Sequence, residues 1–253
     1  MNRGAWNRFV KVRDHFRYYV DELARSLPKL KSIQQKFADS RAEGKNSSYT
    51  VETPVVYNSA LDDITINDEI KMILVADNPG RREQAAENKC YLVGPSGKIA
   101  QKFFRDNPAL GIDFLKNVII LNKTPIHSPR TVELRELCKM EAEEGGSSLV
   151  SVLSESQKTM ASLLLDFQLA LNAQVWITGY SEMKKGGIFE VYTESLKKLY
   201  AGESEMYKKI FIFRHFSMNQ FTIDLKQQTL PGETVSKSLK RIGTAYRKRI
   251  LGK

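Results

Sequence analysis

After residue 70 the sequence contains four short apolar runs, and a helix-length segment separates each run from the next. The runs are KMILVA, NVIILN, AQVWITG and KKIFIFRH. Apolar runs of this length, bounded by turn residues, are typical of strands that are buried on both faces. Strands that alternate with helices predict βαβ units, and therefore a parallel sheet.

Helical patterns fill the segments between and after these runs. We predict helices over about residues 97–106, 131–142, 154–172 and 187–200, a loose link at EEGGSS, and a last basic helix over about 233–250. Because parallel crossovers are right-handed, such helices cover both faces of the sheet. The sequence therefore predicts an α/β fold, a three-layer α/β/α domain with a central four-stranded parallel sheet, over residues 51–253.

The first fifty residues follow a different pattern. Apolar residues recur at helical spacing between residues 5 and 42, with basic residues between them and Pro28 as a joint. This spacing predicts two amphipathic helices. The stretch SRAEGKNSSYT predicts a polar connection, and TPVVYN a short extended piece. We expect residues 1–50 to form a helical extension that packs on the domain.

The chain is basic, with 39 Lys and Arg against 29 Asp and Glu and a formal net charge of +10. This excess allows two interpretations, a polyanionic partner such as nucleic acid or simple solubility. Basic residues near the two ends would either follow a nucleic acid backbone or form solvated helix faces. They are Arg3, Arg8, Lys11, Arg13, Arg17, Lys237, Lys240, Arg241, Arg247, Lys248 and Arg249.

The number of cysteines and the length of the apolar runs indicate in which compartment the protein functions and which cofactors it can hold. Only Cys90 and Cys138 occur, and no histidine lies at ligand spacing from either. Two thiols alone hold neither a zinc ion nor an iron–sulfur cluster, so we expect no metal site. The amino terminus does not match a secretory signal, and no apolar run approaches the roughly 18 residues of a membrane span. We expect a cytoplasmic protein without a membrane partner.

Three of the four predicted strands are followed by side chains that can make directed hydrogen bonds. In open parallel sheets, ligands bind outside the carboxyl ends of the strands. Each of these segments alone has an ordinary explanation as a turn or a cap, but together they favour a polar pocket at one edge of the sheet. The segments are Asp77-Asn78-Pro79-Gly80, Asn122-Lys123-Thr124-Pro125, Thr178-Gly179-Tyr180 and Arg214-His215-Phe216-Ser217.

Two phosphate-binding motifs can be tested directly. The stretch GPSGK is similar to the end of a P-loop, but that motif needs Gly at position 92 and Ser or Thr at position 99, where Leu92 and Ile99 stand. No G-x-G-x-x-G follows a strand, so a dinucleotide site is unsupported. The turn before the first crossover helix can still present the Ser96 hydroxyl and the amides of Ser96 and Gly97 to one backbone phosphate.

Four short motifs together resemble the uracil-DNA glycosylase superfamily. They are ADNPG after the first strand, YLVGPSG, VIILN at the end of the second strand, and HFSMNQF after the last, in the family's order. The likeness spans about residues 65–250 and is closest to members with a Gly-x-Asn-Pro-Gly motif and no iron–sulfur cluster. It implies a DNA partner, no organic cofactor and a monomer.

The first motif carries the hydrolytic residues of that family. The resemblance places Asn78 where these enzymes orient the attacking water. Asn cannot accept a proton as a base would, so the adjacent Asp77 is an alternative for this role. Gly80 replaces a Tyr that excludes the methyl group of thymine in the most active members, which implies relaxed discrimination or another source of it.

The second and third motifs carry base recognition. Asn122 matches the amide that accepts from uracil N3–H and donates to O4, a pattern that cytosine reverses. Leu92 matches the position of an aromatic ring that stacks on the extruded base, and Tyr91 is beside it. Which of the two contacts the base stays open.

The last motif carries leaving-group stabilisation and groove contacts. His215 matches the histidine that donates to uracil O2 as negative charge develops there, and we expect the charge of Arg214 to favour its neutral form. Phe216 replaces the family's Pro. The following loop implies DNA contacts that fill the gap left by the base, with Met218 or Phe221 as an apolar wedge. The residues of that loop are Ser217, Met218, Asn219 and Phe221.

Three functions remain open on the sequence. The first is a DNA glycosylase that hydrolyses the N-glycosidic bond of uracil, or of a related deaminated base, and leaves an abasic site. The second is a nucleic-acid-binding protein with this fold and little or no catalysis, because Gly80, Leu92 and Phe216 depart from the family. The third is a nucleotide hydrolase of general α/β type.

Overall fold

The four apolar runs form one parallel sheet, as the sequence predicts. The computed structural model describes residues 1–41, 48–143 and 149–252 of the chain. Within them the strand order is β2-β1-β3-β4, so β1 and β3 are the central pair. The strands are β1 (Met72–Ala76), β2 (Val118–Asn122), β3 (Gln174–Ile177) and β4 (Ile210–Ile212).

The predicted helices are present, with boundaries that differ by a few residues. The described residues contain α1 (Arg3–Ser26), α2 (Leu30–Ser40), α3 (Pro95–Asp106), α4 (Phe114–Asn117), α5 (Glu133–Glu143), α6 (Leu149–Leu171), α7 (Glu190–Leu199), α8 (Ser204–Lys208), α9 (Gln220–Gln228) and α10 (Val235–Leu251). The sequence did not predict α4, α8 or α9. Most of the EEGGSS link (144–148) and residues 42–47 of the polar connection lie outside the described residues.

Helices pack on both sides of the sheet, which confirms the three-layer α/β/α architecture. One layer is built around α6, which contacts α1, α5 and α7. On the other side α3 and α9 pack on the aromatic side chains of β3 and the segment after β4. Helix α10 lies along β4 and also contacts α7 and α9.

An aromatic cluster fixes the segment that follows β4. Phe216 stacks on Phe221 with ring centroids 4.3 Å apart, and Phe221 lies 4.9 Å from Phe103 of α3. Trp176 of β3 and Phe213 complete the cluster. Burial of one aromatic side chain stabilises a fold by about 2–3 kcal/mol. The Phe at position 216, which departs from the resembled motif, is therefore an anchor of this segment.

The first fifty residues pack on the rest of the chain. Phe9 and Phe16 are completely buried, and Phe9 lies 5.7 Å from Phe167 of α6. In α2, the Gln34 side chain donates to the backbone oxygens of Pro54 and His127, at 3.1 and 2.8 Å. The domain boundary near residue 50 stays a prediction. No helix in the described residues has the length and apolar character that a membrane crossing needs.

Candidate active site

The carboxyl ends of β1 and β3 meet at the point where the chain reverses its direction across the sheet. In open α/β sheets this switch point is where ligands bind. Gly179 follows β3 with a φ of +86°, and a Cβ at this position would lie 2.2 Å from Asp77 Oδ1. Only glycine satisfies both conditions. The carboxylate of Asp77 therefore lies at the switch point, directly against the backbone after β3.

Asp77 forms a buried ion pair with Lys123, a residue to which the sequence analysis gave no role. Lys123 is fully buried, and its Nζ donates to Asp77 Oδ1 at 2.5 Å and to the Thr178 carbonyl at 2.6 Å. Burial raises the pKa of Asp77, but the charge of Lys123 and the hydrogen bonds from Lys123 and Thr131 together lower it below its ordinary value. Burial lowers the pKa of Lys123, and Asp77 opposes that shift. The site thus holds Asp77 as a carboxylate.

Asn78 is tied to the loop that follows β2. Its Nδ2 donates to the carbonyl oxygen and to Oγ of Ser128, both at 3.0 Å. Thr131 Oγ1 lies 3.1 Å from Asn78 Oδ1 and 3.1 Å from Asp77 Oδ2. Since a hydroxyl carries one hydrogen, Thr131 donates to only one of the two at a time. Thr131, which the sequence analysis missed, thereby links both candidates for the water-orienting role.

His215 is held in its neutral form with a defined tautomer. The backbone N–H of Ser217 donates to His215 Nδ1 at 3.0 Å, so the ring proton is on Nε2 and is directed elsewhere. Burial lowers the pKa of His215, and the nearby charge of Lys123 lowers it further against the effect of Asp77. The expected cause was wrong, because Arg214 donates to Asp224 at 3.1 Å and its charge is compensated there.

Asn122, the last residue of β2, is buried with both ends of its amide unpaired. The residue is 1 % exposed, and neither Nδ2 nor Oδ1 is accessible to water or has a hydrogen-bond partner. No other described residue has two such atoms. An unsatisfied buried polar group costs about 1–3 kcal/mol. The fold therefore maintains an unpaired donor and acceptor side by side, beside Ala76 of β1 and next to Lys123.

The same burial defines how a ligand reaches this amide. Because Nδ2 and Oδ1 of Asn122 are shielded from water, any ligand contacts them only after the covering side chains move. Displacements of this kind accompany ligand entry in many proteins. The unliganded site is closed.

The structure gives no support for a stacking role of Tyr91. The residue is 2 % exposed, and its hydroxyl donates to the Val56 carbonyl at 2.5 Å. Its ring is thus a core side chain with no free face. Leu92 is also buried, with a φ of +59°, and its side chain is aliphatic. Both are buried side chains of the hydrophobic core.

A buried carboxylate joins the two turns that border the site. Glu83 accepts from the backbone N–H of Gly80 at 2.7 Å and from that of Leu92 at 2.6 Å. Burial raises the pKa of Glu83 to about 7, although both hydrogen bonds favour the charged form. Glu83 therefore closes the loop between β1 and α3. A Cβ on Gly80 would come only to 3.9 Å from Glu83, so the turn itself does not require glycine there.

His127, in the loop after β2, is a second buried support of the first turn. Its Nδ1 donates to the Pro79 carbonyl at 2.8 Å, and its Nε2 accepts from the Tyr49 hydroxyl at 2.7 Å. Burial lowers the pKa of His127 to about 4. Because Gln34 also donates to the His127 backbone, the first fifty residues help to hold the Asn78–Pro79 turn.

The loop after His215 presents one apolar side chain to solvent. Met218 is 83 % exposed, and Met218 and Asn219 have φ angles of +52° and +59°. Left-handed conformations cost about 1–2 kcal/mol per residue other than glycine. Phe221 is 2 % exposed within the aromatic cluster, which corrects the expectation that it is a wedge. Ser217 is partly buried, and its N–H is used by His215.

At the start of α3 the two expected phosphate contacts differ. Gly97 is buried, and a Cβ there would lie 1.5 Å from the Leu92 carbonyl oxygen. Its N–H donates to the Gly94 carbonyl at 3.0 Å. Gly97 is thus needed for close backbone packing, and its amide does not face an anion. Ser96 is partly exposed in the first turn of α3 and keeps its expected position.

Several basic residues near the chain ends have structural partners. Arg247 is 7 % exposed and donates to three backbone oxygens around Ile210 at 2.9–3.0 Å. It is therefore no candidate for a nucleic acid contact. Arg17 forms an ion pair with Asp62, and Arg241 pairs with Glu233. The basic ends contain fewer available cations than the sequence suggests.

The structure thus brings Asp77, Lys123 and His215 within electrostatic reach of each other at the carboxyl edge of the sheet. Asn122 ends the strand beside them. Comparison of the chain with protein-family models, with the sequences of curated proteins and with solved structures finds no match.

Proposed function

We propose that this protein is a DNA glycosylase that hydrolyses the N-glycosidic bond of uracil, or of a related deaminated base, after extrusion of that base from DNA. The unpaired, buried amide of Asn122 carries the proposal. A hydrogen-bond donor and acceptor that are removed from water and find no partner in the protein destabilise the fold. A ligand that supplies the complementary acceptor and donor removes this cost. Uracil presents such a pair at N3–H and O4.

In this proposal Asn122 accepts from N3–H through Oδ1 and donates to O4 through Nδ2. Cytosine has an amino group at C4 and an acceptor at N3, so it reverses the pattern and leaves both contacts repulsive. One amide therefore separates the two pyrimidines. This discrimination requires that the amide be shielded from water, and its burial supplies that condition.

His215 acts on the leaving group. As the bond between the sugar C1′ and the base N1 breaks, its electrons pass to the base and negative charge develops at O2. The Nε2–H of a neutral imidazole donates to that oxygen without carrying a positive charge into the ground state. The acceptor role of Nδ1 and the lowered pKa of His215 support this assignment.

Asp77 acts on the sugar and the water. Its carboxylate stabilises the developing positive charge of the sugar and orients the water whose oxygen bonds to C1′. The proton that this water loses neutralises the departing uracil anion. The ion pair with Lys123 keeps it ionised. Asn78, whose amide donates to Ser128, holds the turn that presents Asp77. We assign the water to Asp77 and not to Asn78, because the Asn78 amide is bonded to Ser128 and Asp77 is held as a carboxylate by Lys123.

The DNA partner is engaged through the loop after β4. An exposed apolar side chain at a strained loop is suited to fill the gap that an extruded base leaves in the stack. Met218 has this position, two residues after the Phe216 anchor.

The test is a single-turnover assay on uracil-containing oligonucleotides, single- and double-stranded, with abasic sites detected as alkali-labile breaks. We expect Asn122→Ala and His215→Ala each to reduce excision by about 100-fold or more, which is typical for loss of one preorganised donor. The exposed Arg105→Gln variant, at the opposite end of the sheet, should keep full activity. Full activity of either site variant refutes the assignment.

A second candidate function is a nucleic-acid-binding protein of the same fold without catalysis. The burial of Tyr91, which leaves no aromatic face for a base, favours it. This alternative predicts that the wild-type chain binds uracil-containing DNA and forms no abasic site at any salt or pH tested. If the wild-type chain excises uracil and the Asn122→Ala variant does not, this second function is excluded.

A further inference from the structure

A small cavity lies beside the turn that carries Asp77 and Asn78. Its volume is about 170 Å³, and it is lined by Ala38, Arg41, Tyr49, Arg81, Pro129, Arg130 and Glu133. The three arginines come from three parts of the chain: the end of α2, the turn after β1 and the loop after β2. Three guanidinium groups that line one cavity favour the binding of an anion.

Among the described residues, the lining of the cavity contains more basic than acidic side chains. Arg130 is paired with Glu133, with 2.8 Å between Nε and Oε1. Arg41 pairs with Glu136 outside the lining, and the Arg81 guanidinium lies 4.3 Å from the centre of the Tyr49 ring. Each of the three guanidinium groups thus already has a partner, and the described lining holds one carboxylate, that of Glu133. Each guanidinium has five N–H donors, so its pairing leaves donors for a ligand.

The size of the cavity limits the ligand. Sites for whole nucleotides and drug-sized molecules occupy about 300–1,000 Å³. A volume of about 170 Å³ is too small for a nucleotide and sufficient for a phosphate group with a few waters. Guanidinium groups match phosphate oxygens in a bidentate arrangement.

Two residues that line the cavity, Arg81 and Arg130, are neighbours in sequence of residues of the candidate active site. Arg81 directly follows Gly80 of the first turn. Arg130 lies between Ser128, which accepts from Asn78, and Thr131, which contacts Asp77. The cavity therefore borders the turn and the loop that hold Asp77 and Asn78.

We propose that Arg41, Arg81 and Arg130 bind one phosphodiester of the nucleic acid strand, beside the nucleotide that is extruded. The identity of the strand rests on the proposed function, whereas the phosphate site rests on the cavity. The proposal also gives the first fifty residues a direct role, because Arg41 and Tyr49 form one wall.

The first test uses inorganic phosphate at constant ionic strength and follows the arginine Nε–H signals by NMR. We expect saturable shifts of the Arg81 and Arg130 signals in the wild-type chain and in Arg105→Gln, an exposed arginine far from the cavity. Arg81→Gln should lose the saturable shift of the Arg130 signal. The absence of saturation in the wild-type chain, or an unchanged response in Arg81→Gln, overturns the phosphate site.

Arg41→Gln is the second variant, because its side chain is half exposed and its loss leaves the core intact. We expect it to weaken phosphate binding at least threefold. If Arg81→Gln does not fold, an unchanged affinity of Arg41→Gln still overturns the proposal. The unfolding transition of each variant is measured alongside.

The second test distinguishes a strand phosphodiester from free phosphate. Single uncharged methylphosphonate linkages are placed at successive positions on both sides of a uracil, and binding is measured by anisotropy. We expect one position at which the substitution weakens binding by the wild-type chain but not by Arg81→Gln. The salt dependence of log K should also fall by about 0.7 in Arg81→Gln on single strands.

The outcomes separate this proposal from the proposed function. A position-specific effect without any excision supports the phosphate site and contradicts glycosylase activity. Excision without any position-specific effect overturns the phosphate site and leaves the glycosylase proposal in place. Phosphate saturation with no nucleic acid binding overturns the strand assignment.

Discussion

At the residue scale, the most restrictive contact of the site is that between Gly179 and the Asp77 carboxylate. Gly179 has a φ of +86° and leaves no room for a Cβ, whereas Gly111 has a φ of +64° with open space around it. A substitution at Gly111 therefore tests the cost of the left-handed backbone alone, and one at Gly179 tests that cost together with steric overlap. We expect Gly111→Ala to cost about 1 kcal/mol, the ordinary penalty of the left-handed region.

We expect Gly179→Ala to cost at least about 2 kcal/mol more, because the new methyl group displaces Asp77 from Lys123 and disturbs a buried ion pair. Urea unfolding of both variants measures the difference. Excision by Gly179→Ala should also fall, while that of Gly111→Ala should not. Equal losses of stability in the two variants would show that the carboxylate moves without cost.

At the element scale, the loop between β4 and α9 combines a buried anchor with an exposed tip. Phe216 and Phe221 are in the core, and Met218 is 83 % exposed. We expect Met218→Ala to leave the free energy of unfolding unchanged and to reduce excision from duplex DNA several-fold, because the side chain fills the gap in the stack. On single strands, where no stack is broken, the variant should match the wild type.

Leu115→Ala is the matched control, since Leu115 is an apolar side chain that is 73 % exposed in α4. Its activity on both substrates should equal that of the wild type. An equal effect of Met218→Ala on single and double strands would argue against a wedge.

The strands and most helices were predicted because their signals are local and periodic. The apolar runs that form β1 to β4, and the turns after them, can be recognised from a few neighbouring residues of sequence. Lys123, Thr131, Glu83 and His127 were not assigned to the site, because their roles depend on partners that only the fold brings close. Lys123 and Thr131 lie 46 and 54 residues from Asp77 in sequence. Phe221 was misjudged for the same reason, since its burial depends on α3 and β3.

At the scale of the whole molecule, two buried titratable groups make stability respond to pH in opposite directions. Burial raises the pKa of Glu83 from 4.5 to about 7, so folding favours the protonated form. Its contribution is complete below pH 4.5 and is lost as the pH rises to about 7. Burial lowers the pKa of His127 from 6.5 to about 4, so folding favours the neutral form. Its contribution is complete above pH 6.5 and is lost as the pH falls to about 4.

The two contributions have similar size and overlapping windows, so they largely cancel in the wild-type chain. Each amounts to about 3 kcal/mol, as follows from the shifts of Glu83 and His127. We expect the free energy of unfolding of Glu83→Gln, relative to the wild type, to rise between pH 4.5 and 7. That of His127→Gln should fall, relative to the wild type, between pH 4 and 6.5. Urea titrations from pH 4 to 8 measure both differences.

The contacts that each side chain makes in its uncharged form are lost in the variant and add an offset that does not depend on pH, so the slopes alone carry the comparison. The double variant should follow the wild-type slope, because it lacks both titrations and the other ionisable groups are unchanged. Slopes of the same sign in the two single variants would mean that one of these side chains is not shielded from water. Since Glu83 and His127 both bond to the turn that holds Asn78, excision should weaken in either variant even at the pH where its stability is highest.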